Sequence, residues 1–415
     1  MFRLTVIYRR YSLRRWRSKN RFKMRVLHVL PSIAPSYGGP STALIGLSNA
    51  LSARGVYTET VTTDLGMEEG RNLNYGGLSE FRGVKVRFFP RMLPARLPRD
   101  FALSPKLGGW LKAHIRDFDI VNIHGLFNYP NSVAASIAYK AGVPYVIRPC
   151  GMLDPWCLKQ SRFKKVAYLK LFGYRHLRNA AAFSFTTSEE EKLAYKVARQ
   201  PPGVVIPLGV TTTEDTREQD DLLLPRDKKV ILFLSRLDKK KGIDLLISSV
   251  ARLKDIRNDF LCVVAGGGNA EYEARIKAEV KVKELDDVVW FSGFVEGERK
   301  RQLLKAASCF ALPSYQENFG LSVAEAMAAG CPVVISDQVN IHKDISESNA
   351  GRVVRCDVDE LCSALDEVLS DEAMQRTMGL NGQRLVREKY DWDKVGERFI
   401  TLYKTCIEQH PRRDR

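Results

Sequence analysis

The chain has 415 residues, 45% of them hydrophobic, and a formal net charge of +17. Its length suits two domains of about 200 residues each, its apolar fraction is that of a globular protein with full cores, and no apolar run reaches the roughly 18 residues of a spanning helix. The eight cysteines are scattered with no metal-type Cys-x2-Cys, which suits free thiols in a reducing cytoplasm better than disulfides.

Residues 1–23 carry nine basic side chains and no acid. They lack the continuous apolar core of a secretory signal. Two readings stand: an upstream extension with Met24 as the true start, or a basic, aromatic-bearing arm for an anionic membrane. From Met24 onward strands and helices alternate. Strands are expected at Val26–Leu30, Tyr57–Thr63, Val84–Phe89, Asp119–His124, Pro144–Arg148, Ala182–Thr186 and Val204–Ile206. A helix at Ser41–Arg54 places Leu44, Leu47 and Leu51 on one face and stops at Gly55. These elements define a first domain over 24–210. The acid-rich stretch 211–227 has no periodicity and serves as linker. A second domain over 228–389 restarts the alternation, with strands at Val230–Leu234, Phe260–Ala265, Val288–Phe291, Cys309–Leu312, Pro332–Ile335 and Arg352–Val354. A final segment, 390–415, carries a helix over Asp393–Gln409. Alternation of this kind argues parallel sheets covered on both faces, hence an α/β protein of two doubly wound domains facing across a cleft.

The most informative segment is Leu312-Pro-Ser-Tyr-Gln-Glu-Asn-Phe-Gly-Leu-Ser-Val-Ala-Glu-Ala-Met-Ala-Ala-Gly330. Glu317 falls on a loop at a strand's carboxyl end, and Glu325 about one turn into the following helix. Ligands of open α/β sheets bind there. Asn318, Phe319 and Gly320 bring backbone N–H groups to the helix N-terminus, a natural phosphate cradle. Two acids beside such a cradle would repel phosphate, so they suit sugar hydroxyls, and phosphate plus hydroxyls means a nucleotide-sugar. The spacing, with its Leu-Pro-Ser and Ala-Glu-Ala-Met-Ala-x-Gly flanks, resembles the Glu-x7-Glu motif of retaining glycosyltransferases of family 4, the group 1 glycosyltransferases. The resemblance covers Met24 to about Gln409. It implies the GT-B fold, two Rossmann-like domains with the nucleotide-sugar held by the C-terminal one and the acceptor by the N-terminal one. The last helix is then expected to cross back onto the N-terminal domain.

Further segments extend the likeness. Gly38-Gly39-Pro40 opens a helix after the first strand, where paired glycines let a diphosphate approach, and resembles the family's glycine loop. Arg236 and Lys241, in Leu234-Ser-Arg-Leu-Asp-Lys-Lys-Lys-Gly242, match the family's phosphate-clamping cations. A departing diphosphate gains charge that fixed cations stabilise. Lys239 and Lys240 fit a solvated loop. His124, followed by Gly125-Leu126, resembles the family's histidine near the reacting sugar. Arg148-Pro-Cys-Gly-Met-Leu-Asp-Pro-Trp156 resembles its Pro-x-Gly-Met-Leu segment. It implies an acceptor-side role for Arg148 and Gly151, while Cys150, where relatives carry His or Arg, fits packing. Gly267, in a run of three glycines, and Phe294 resemble the segments that meet the nucleotide base. Carried over, Glu317 contacts the transferred sugar and Glu325 the ribose diol. Three Asp-x-Asp pairs (117/119, 357/359, 391/393) fit structural positions. With Arg236 and Lys241 as counter-charges, neither metal nor other cofactor is expected.

Two basic, apolar stretches, Lys159–Arg178 and Lys85–Arg96, suit an anionic leaflet or, equally, a half-buried helix face. No nucleic-acid recognition motif appears. The expectation is a metal-independent retaining hexosyltransferase. It would move a sugar from a nucleotide-diphosphate sugar to a saccharide or lipid-linked acceptor in polysaccharide biosynthesis, in the cytoplasm or peripherally on the membrane's inner face. The alternatives are a nucleotide-sugar epimerase of the same fold and a non-catalytic nucleotide-sugar-binding protein.

Overall fold

The computed structural model describes residues 24–67, 72–92, 98–197, 201–211, 224–225 and 227–410. The basic extension 1–23 and nearly all of the expected linker lie outside the described residues. The first sheet contains β1 (Arg25–Val29), β2 (Tyr57–Thr63), β3 (Ser79–Phe81), β4 (Val84–Phe89), β5 (Ile120–His124), β6 (Tyr145–Arg148), β7 (Ala182–Phe185) and β8 (Gly203–Val205). The second contains β9 (Lys229–Leu234), β10 (Phe260–Ala265), β11 (Val289–Gly293), β12 (Cys309–Leu312), β13 (Val333–Ser336) and β14 (Gly351–Val354). Helices occupy both faces, so the α/β expectation holds. Every expected strand forms, with ends shifted by one or two residues.

The strand order is β3-β4-β2-β1-β5-β6-β7-β8 in the first sheet and β11-β10-β9-β12-β13-β14 in the second. All pairings are parallel except β3 with β4. That hairpin escaped the sequence reading because β3 is short. Its turn is set by Arg82 and Gly83, both at positive φ, as a tight two-residue hairpin requires. Both sheets reverse direction at one point, between β1 and β5 and between β9 and β12. At such a switch point the loops leaving the carboxyl ends part and leave a crevice. The four loops concerned carry Gly38 and Gly39, His124 and Gly125, Arg236 and Lys241, and Glu317 to Gly320.

The helix Trp392–Gln409 lies on the first sheet rather than the second. Val395, Phe399, Leu402, Tyr403 and Cys406 recur at helical spacing and are buried against Val26, Leu47, Leu51, Ile120 and Val146. Each such side chain contributes about 1.5–3 kcal/mol by leaving water. Asn122 Nδ2 donates to Tyr403 Oη at 2.6 Å, and Arg54 pairs with Asp393 at 2.9 Å. The turn into this helix is pinned by the Val210 amide donating to the Tyr390 carbonyl. The Trp392 ring sits where side chains at Gly46 and Gly209 would project. Of the Asp-x-Asp pairs, Asp357 and Asp391 cap helices and Asp119 accepts the Arg25 amide.

These contacts reverse an ordinary rule. Gly→Ala inside a helix normally stabilises by about 1 kcal/mol. A Cβ at Gly46 would lie 2.1 Å from Trp392 Cζ2, so Gly46→Ala is expected to lower the denaturation midpoint, with recovery in the Gly46→Ala/Trp392→Ala double variant. A raised midpoint for the single variant refutes this packing.

Candidate active site

The site is assembled from glycine-dependent close approaches. After β9 the chain makes a tight turn over Lys239–Lys241 and leaves it at Gly242, in the left-handed conformation. A Cβ at Gly242 would lie 1.9 Å from the Pro313 carbonyl oxygen, so only glycine lets this turn press against the loop after β12. The contact is reinforced by the Tyr315 amide donating to the Lys240 carbonyl at 2.8 Å. As a result Lys241 Nζ donates to the Glu317 carboxylate, both side chains being nearly buried. Glu317 is held from its other side by the strand-like segment after β13: its amide donates to the Gln338 carbonyl and its carbonyl accepts from the Asn340 amide. Burial opposes ionisation of Glu317. The Lys241 and Lys240 ammonium groups, the hydrogen bond from Lys241 and the Phe319 amide outweigh it and hold the carboxyl below its ordinary value. Glu317 is therefore a fixed anion.

The other members of the motif are distributed differently. Glu325 lies one turn into the helix Leu321–Ala328 and accepts from Lys300 Nζ at 2.8 Å. Lys300 gave no signal in sequence. The Phe319 amide serves the Glu317 carboxylate, and its ring is buried edge-on against Tyr390. Gly320 caps the helix at positive φ. Asn318 reaches the other domain, donating from Nδ2 to Thr186 Oγ1 at 2.8 Å. The expected three-amide phosphate cradle is thus partly taken up by the protein's own contacts. Lys240, assigned to a solvated loop, is half-buried with its ammonium over the Trp156 ring at 5.9 Å, whereas Lys239 is exposed. Burial, then the neighbouring Lys241 charge, lowers the Lys240 pKa.

Arg236 extends from the same loop to the opposite domain. It is exposed, and a Cβ at Gly38 would lie 3.8 Å from its Nε. Gly38, at positive φ, and Gly39 open the helix Gly39–Ala53 facing this cation. In the glycine run, Gly266 and Gly268 are demanded by the Ser235 and Leu237 carbonyl oxygens, 1.9 and 2.2 Å from their would-be Cβ atoms, while a Cβ at Gly267 would meet nothing within 4 Å. Phe294 is exposed at a cavity of about 470 Å³ that spans the domains from Pro35 and Ser36 to Glu296. Arg82 and Glu296 pair across its rim at 2.8 Å.

On the N-terminal side, His124 ends β5 almost fully buried, and its Nε2 lies 3.1 Å from Nδ1 of His28 on β1. Burial first, then the Arg148 charge, lowers both histidines, His28 to about 3. Both rings are therefore held in the neutral form at physiological pH, joined by this hydrogen bond. His28 was not singled out from sequence, though a histidine in the run Val-Leu-His-Val-Leu is a polar break in a buried strand.

The two residues expected on the acceptor side are engaged within the protein itself. Arg148 is 2% exposed and packs over the Phe399 ring at 5.2 Å. It pairs with His124 across β5 and β6, and side chains in register share a face, here the face covered by the C-terminal helix. Gly151 donates its amide to Glu190 Oε1 at 2.6 Å, and a Cβ there would lie 2.9 Å from Asn318 Cβ. It is a domain-contact glycine. Glu190, absent from the sequence reading, is a buried carboxylate that also accepts from the Thr186 amide and hydroxyl. It couples the Gly151 loop to the residue that meets Asn318. Burial pushes the Cys150 thiol up to about 11, in keeping with a packing role. In the stretch Lys85–Arg96, Phe88 and Phe89 are core residues of β4, Met92 is exposed, and 93–96 lie outside the described residues.

Paired crevices at two switch points, lined by glycine turns, cations and a fixed carboxylate, define a two-domain sugar-transfer enzyme of GT-B architecture. Residues 214–385 match the family described as "Glycosyl transferases group 1", and residues 38–209 match the "Glycosyl transferase 4-like domain". A phosphatidyl-myo-inositol mannosyltransferase of Mycolicibacterium smegmatis is 30% identical over 318 residues, 75% of this chain and 77% of the relative. Among solved structures, the sucrose-phosphate synthase of Thermosynechococcus elongatus superposes with a TM-score of 0.77 at 21% identity, over 93% of this chain and all of that one. Anabaena HepE in complex with UDP and glucose gives 0.72 at 18% identity, over 92% of this chain and all of that one. The chain belongs to the group 1 glycosyltransferases.

Two outcomes follow from the charges. Removing one partner of a buried ion pair strands the other. Lys241→Met and Glu317→Leu are each expected to cost about 3–5 kcal/mol in urea unfolding, and the double variant less than their sum. Strict additivity argues against the pair. His28, His124 and His176 all bind protons more readily when unfolded, since burial lowers each of them in the folded chain. Their stability contribution is therefore complete above the ordinary value of 6.5 and is lost as pH falls below it. Each adds a slope of about 1.4 kcal/mol per pH unit. His28→Gln should flatten the stability–pH curve between about pH 6 and 4 by one such increment, and an unchanged slope contradicts the neutral pair.

Proposed function

We propose that the protein transfers a sugar from a nucleotide-diphosphate sugar to a hydroxyl of a saccharide or lipid-linked acceptor, with retention at the anomeric carbon. The observation that carries this is the Lys241–Glu317 pair, a fixed cation and a fixed anion side by side at the carboxyl-end crevice of the second sheet. Lys241 and Arg236 supply positive charge where a diphosphate leaves, and Glu317 offers acceptor oxygens to sugar hydroxyls. Neutral His124, at the carboxyl end of β5 beside the switch point, contributes a hydrogen-bonding group rather than a charge. The nucleotide reading is supported by HepE, whose structure contains UDP and glucose. The lipid-linked acceptor is supported by a relative named for phosphatidyl-myo-inositol.

In the proposed reaction the bond from the anomeric carbon to the diphosphate oxygen breaks while the acceptor oxygen bonds that carbon on the same face. The acceptor's proton passes to the departing diphosphate oxygen. Lys241 and Arg236 offset the charge that accumulates on the diphosphate, an electrostatic contribution typically worth about 10²–10³ in rate per donor removed. No metal is invoked, because these two cations occupy that role. Neither Glu317 nor Glu325 acts as nucleophile: the first is committed to Lys241 and the second to Lys300.

The test is Glu317→Ala, assayed by release of nucleotide diphosphate with acceptor present and by equilibrium donor binding. Donor affinity is expected to change by less than about tenfold while turnover falls by about 10² or more. Undiminished transfer sinks the assignment. Conversion of donor to an isomer without acceptor would instead identify an epimerase, and binding without turnover in the parent protein a sugar-nucleotide-binding protein.

A further inference from the structure

The connection between β6 and β7 carries an apolar surface that the site does not use. It comprises the helices Pro155–Lys159, Arg162–Tyr168 and Tyr174–Arg178, the last two joined by a wide turn over Leu169–Gly173. One side packs inward: Leu169, His176 and Leu177 are buried, Tyr145 Oη donates to the His176 carbonyl at 2.6 Å, and the Tyr168 hydroxyl meets Ser132. The other side is open. Phe163 is 90% exposed, Leu171 71% and Phe172 55%, with Val166 and Tyr174 beside them. Among the described residues no other large apolar side chain is as exposed as Phe163. So many exposed large apolar side chains within one connection mark an interaction surface.

Its charge identifies the occupant. From Pro155 to Ser188 the sequence contains no Asp or Glu. Lys159, Arg162, Lys164, Lys170, Arg175 and Arg178 are exposed around the apolar side chains. A second copy of the chain meeting this face on itself would oppose six cations to six, since a two-fold contact brings identical patches together. An anionic bilayer satisfies both components: aromatic and aliphatic side chains enter the headgroup boundary while the basic side chains meet lipid phosphates. Each basic residue near such a surface contributes on the order of fivefold in partitioning.

The location is equally specific. Trp156, in the first of these helices, lies beneath Lys240 of the donor loop. Tyr168 contacts Phe127 of the loop after His124 at 5.2 Å between ring centroids. The patch is thus continuous with the N-terminal rim of the cleft.

We propose that residues 155–178 dock the protein on an anionic lipid leaflet, with Phe163, Leu171 and Phe172 as the inserting side chains, and so present the cleft to acceptors held in that leaflet. Acceptor delivery rests on the transfer reading above; docking does not.

The experiment is flotation of the full-length protein with phosphatidylcholine vesicles, with and without phosphatidylglycerol. The parent protein is expected to float with the anionic vesicles and to detach as salt rises. Phe163→Ser/Leu171→Ser/Phe172→Ser and, separately, Lys164→Glu/Lys170→Glu should each lower the partition coefficient at least about tenfold. Because all five side chains are exposed, thermal midpoints and turnover with a water-soluble acceptor should stay unchanged. Failure of the parent protein to bind, or undiminished binding by both variants, overturns the proposal. So does loss in the serine variant of a dimer seen by sedimentation equilibrium. Intact docking without sugar transfer would leave this proposal standing and remove the transfer reading.

Discussion

The site depends on one close approach, the turn at Gly242 against the Pro313 carbonyl. It brings the loops after β9 and β12 into contact at the point where the second sheet reverses, and so pairs Lys241 with Glu317. Each partner makes the other tenable. A nearly buried carboxylate is costly without a counter-charge, and Lys241, Lys240 and the Phe319 amide together supply it. What results is a local dipole of fixed orientation. Preorganised charge of this kind needs no rearrangement as a leaving group ionises.

The N-terminal half contributes through a different principle. Its titratable residues near the cleft are buried: two are neutral histidines, one is a committed carboxylate, and Arg148 is a cation whose Nε and Nη2 have no hydrogen-bond partner among the described residues. His28 and His124 are kept uncharged by burial and by Arg148, and Arg148 lies over the Phe399 ring of the C-terminal helix. Glu190 is spent on the Gly151 amide and on Thr186, which in turn receives Asn318. The C-terminal helix and the Asn318 contact therefore tie the two domains together, the latter at the Gly151 and Thr186 loops. Arg82 and Glu296 close the opposite rim. Among the described residues, movement between the domains has to break the half-buried Asn318–Thr186 and Asn340–Thr187 contacts and the exposed Arg82–Glu296 pair.

Much of this was legible beforehand. Strands such as Val230–Leu234 and Phe260–Ala265 are short β-branched runs closed by turn residues, and both formed where expected. Glu317, Arg236, Lys241 and the glycine pair stood at strand ends, and strand ends in a doubly wound sheet converge. What misled was facing. Arg148 is a cation at a strand end, yet strand parity turns it under the C-terminal helix, whose position is fixed by contacts more than 200 residues away in sequence. Phe88 and Phe89 lie in a basic stretch, yet both are core, because consecutive strand residues point to opposite faces and each face is covered there, Phe88 packing with Leu30 and Leu44 and Phe89 with Leu107 and Leu111.

The sequence by itself determined the class of sheet, the family and the loops that carry charge, because periodicity, glycine placement and motif spacing are local properties of the chain. Only the tertiary structure decided which charges meet. Lys241 meets Glu317 across 76 residues, Asn318 meets Thr186 across 132, and Lys300 occupies Glu325. Partners so distant are chosen by sheet order and by the room that a missing Cβ leaves, and neither is written in any one segment.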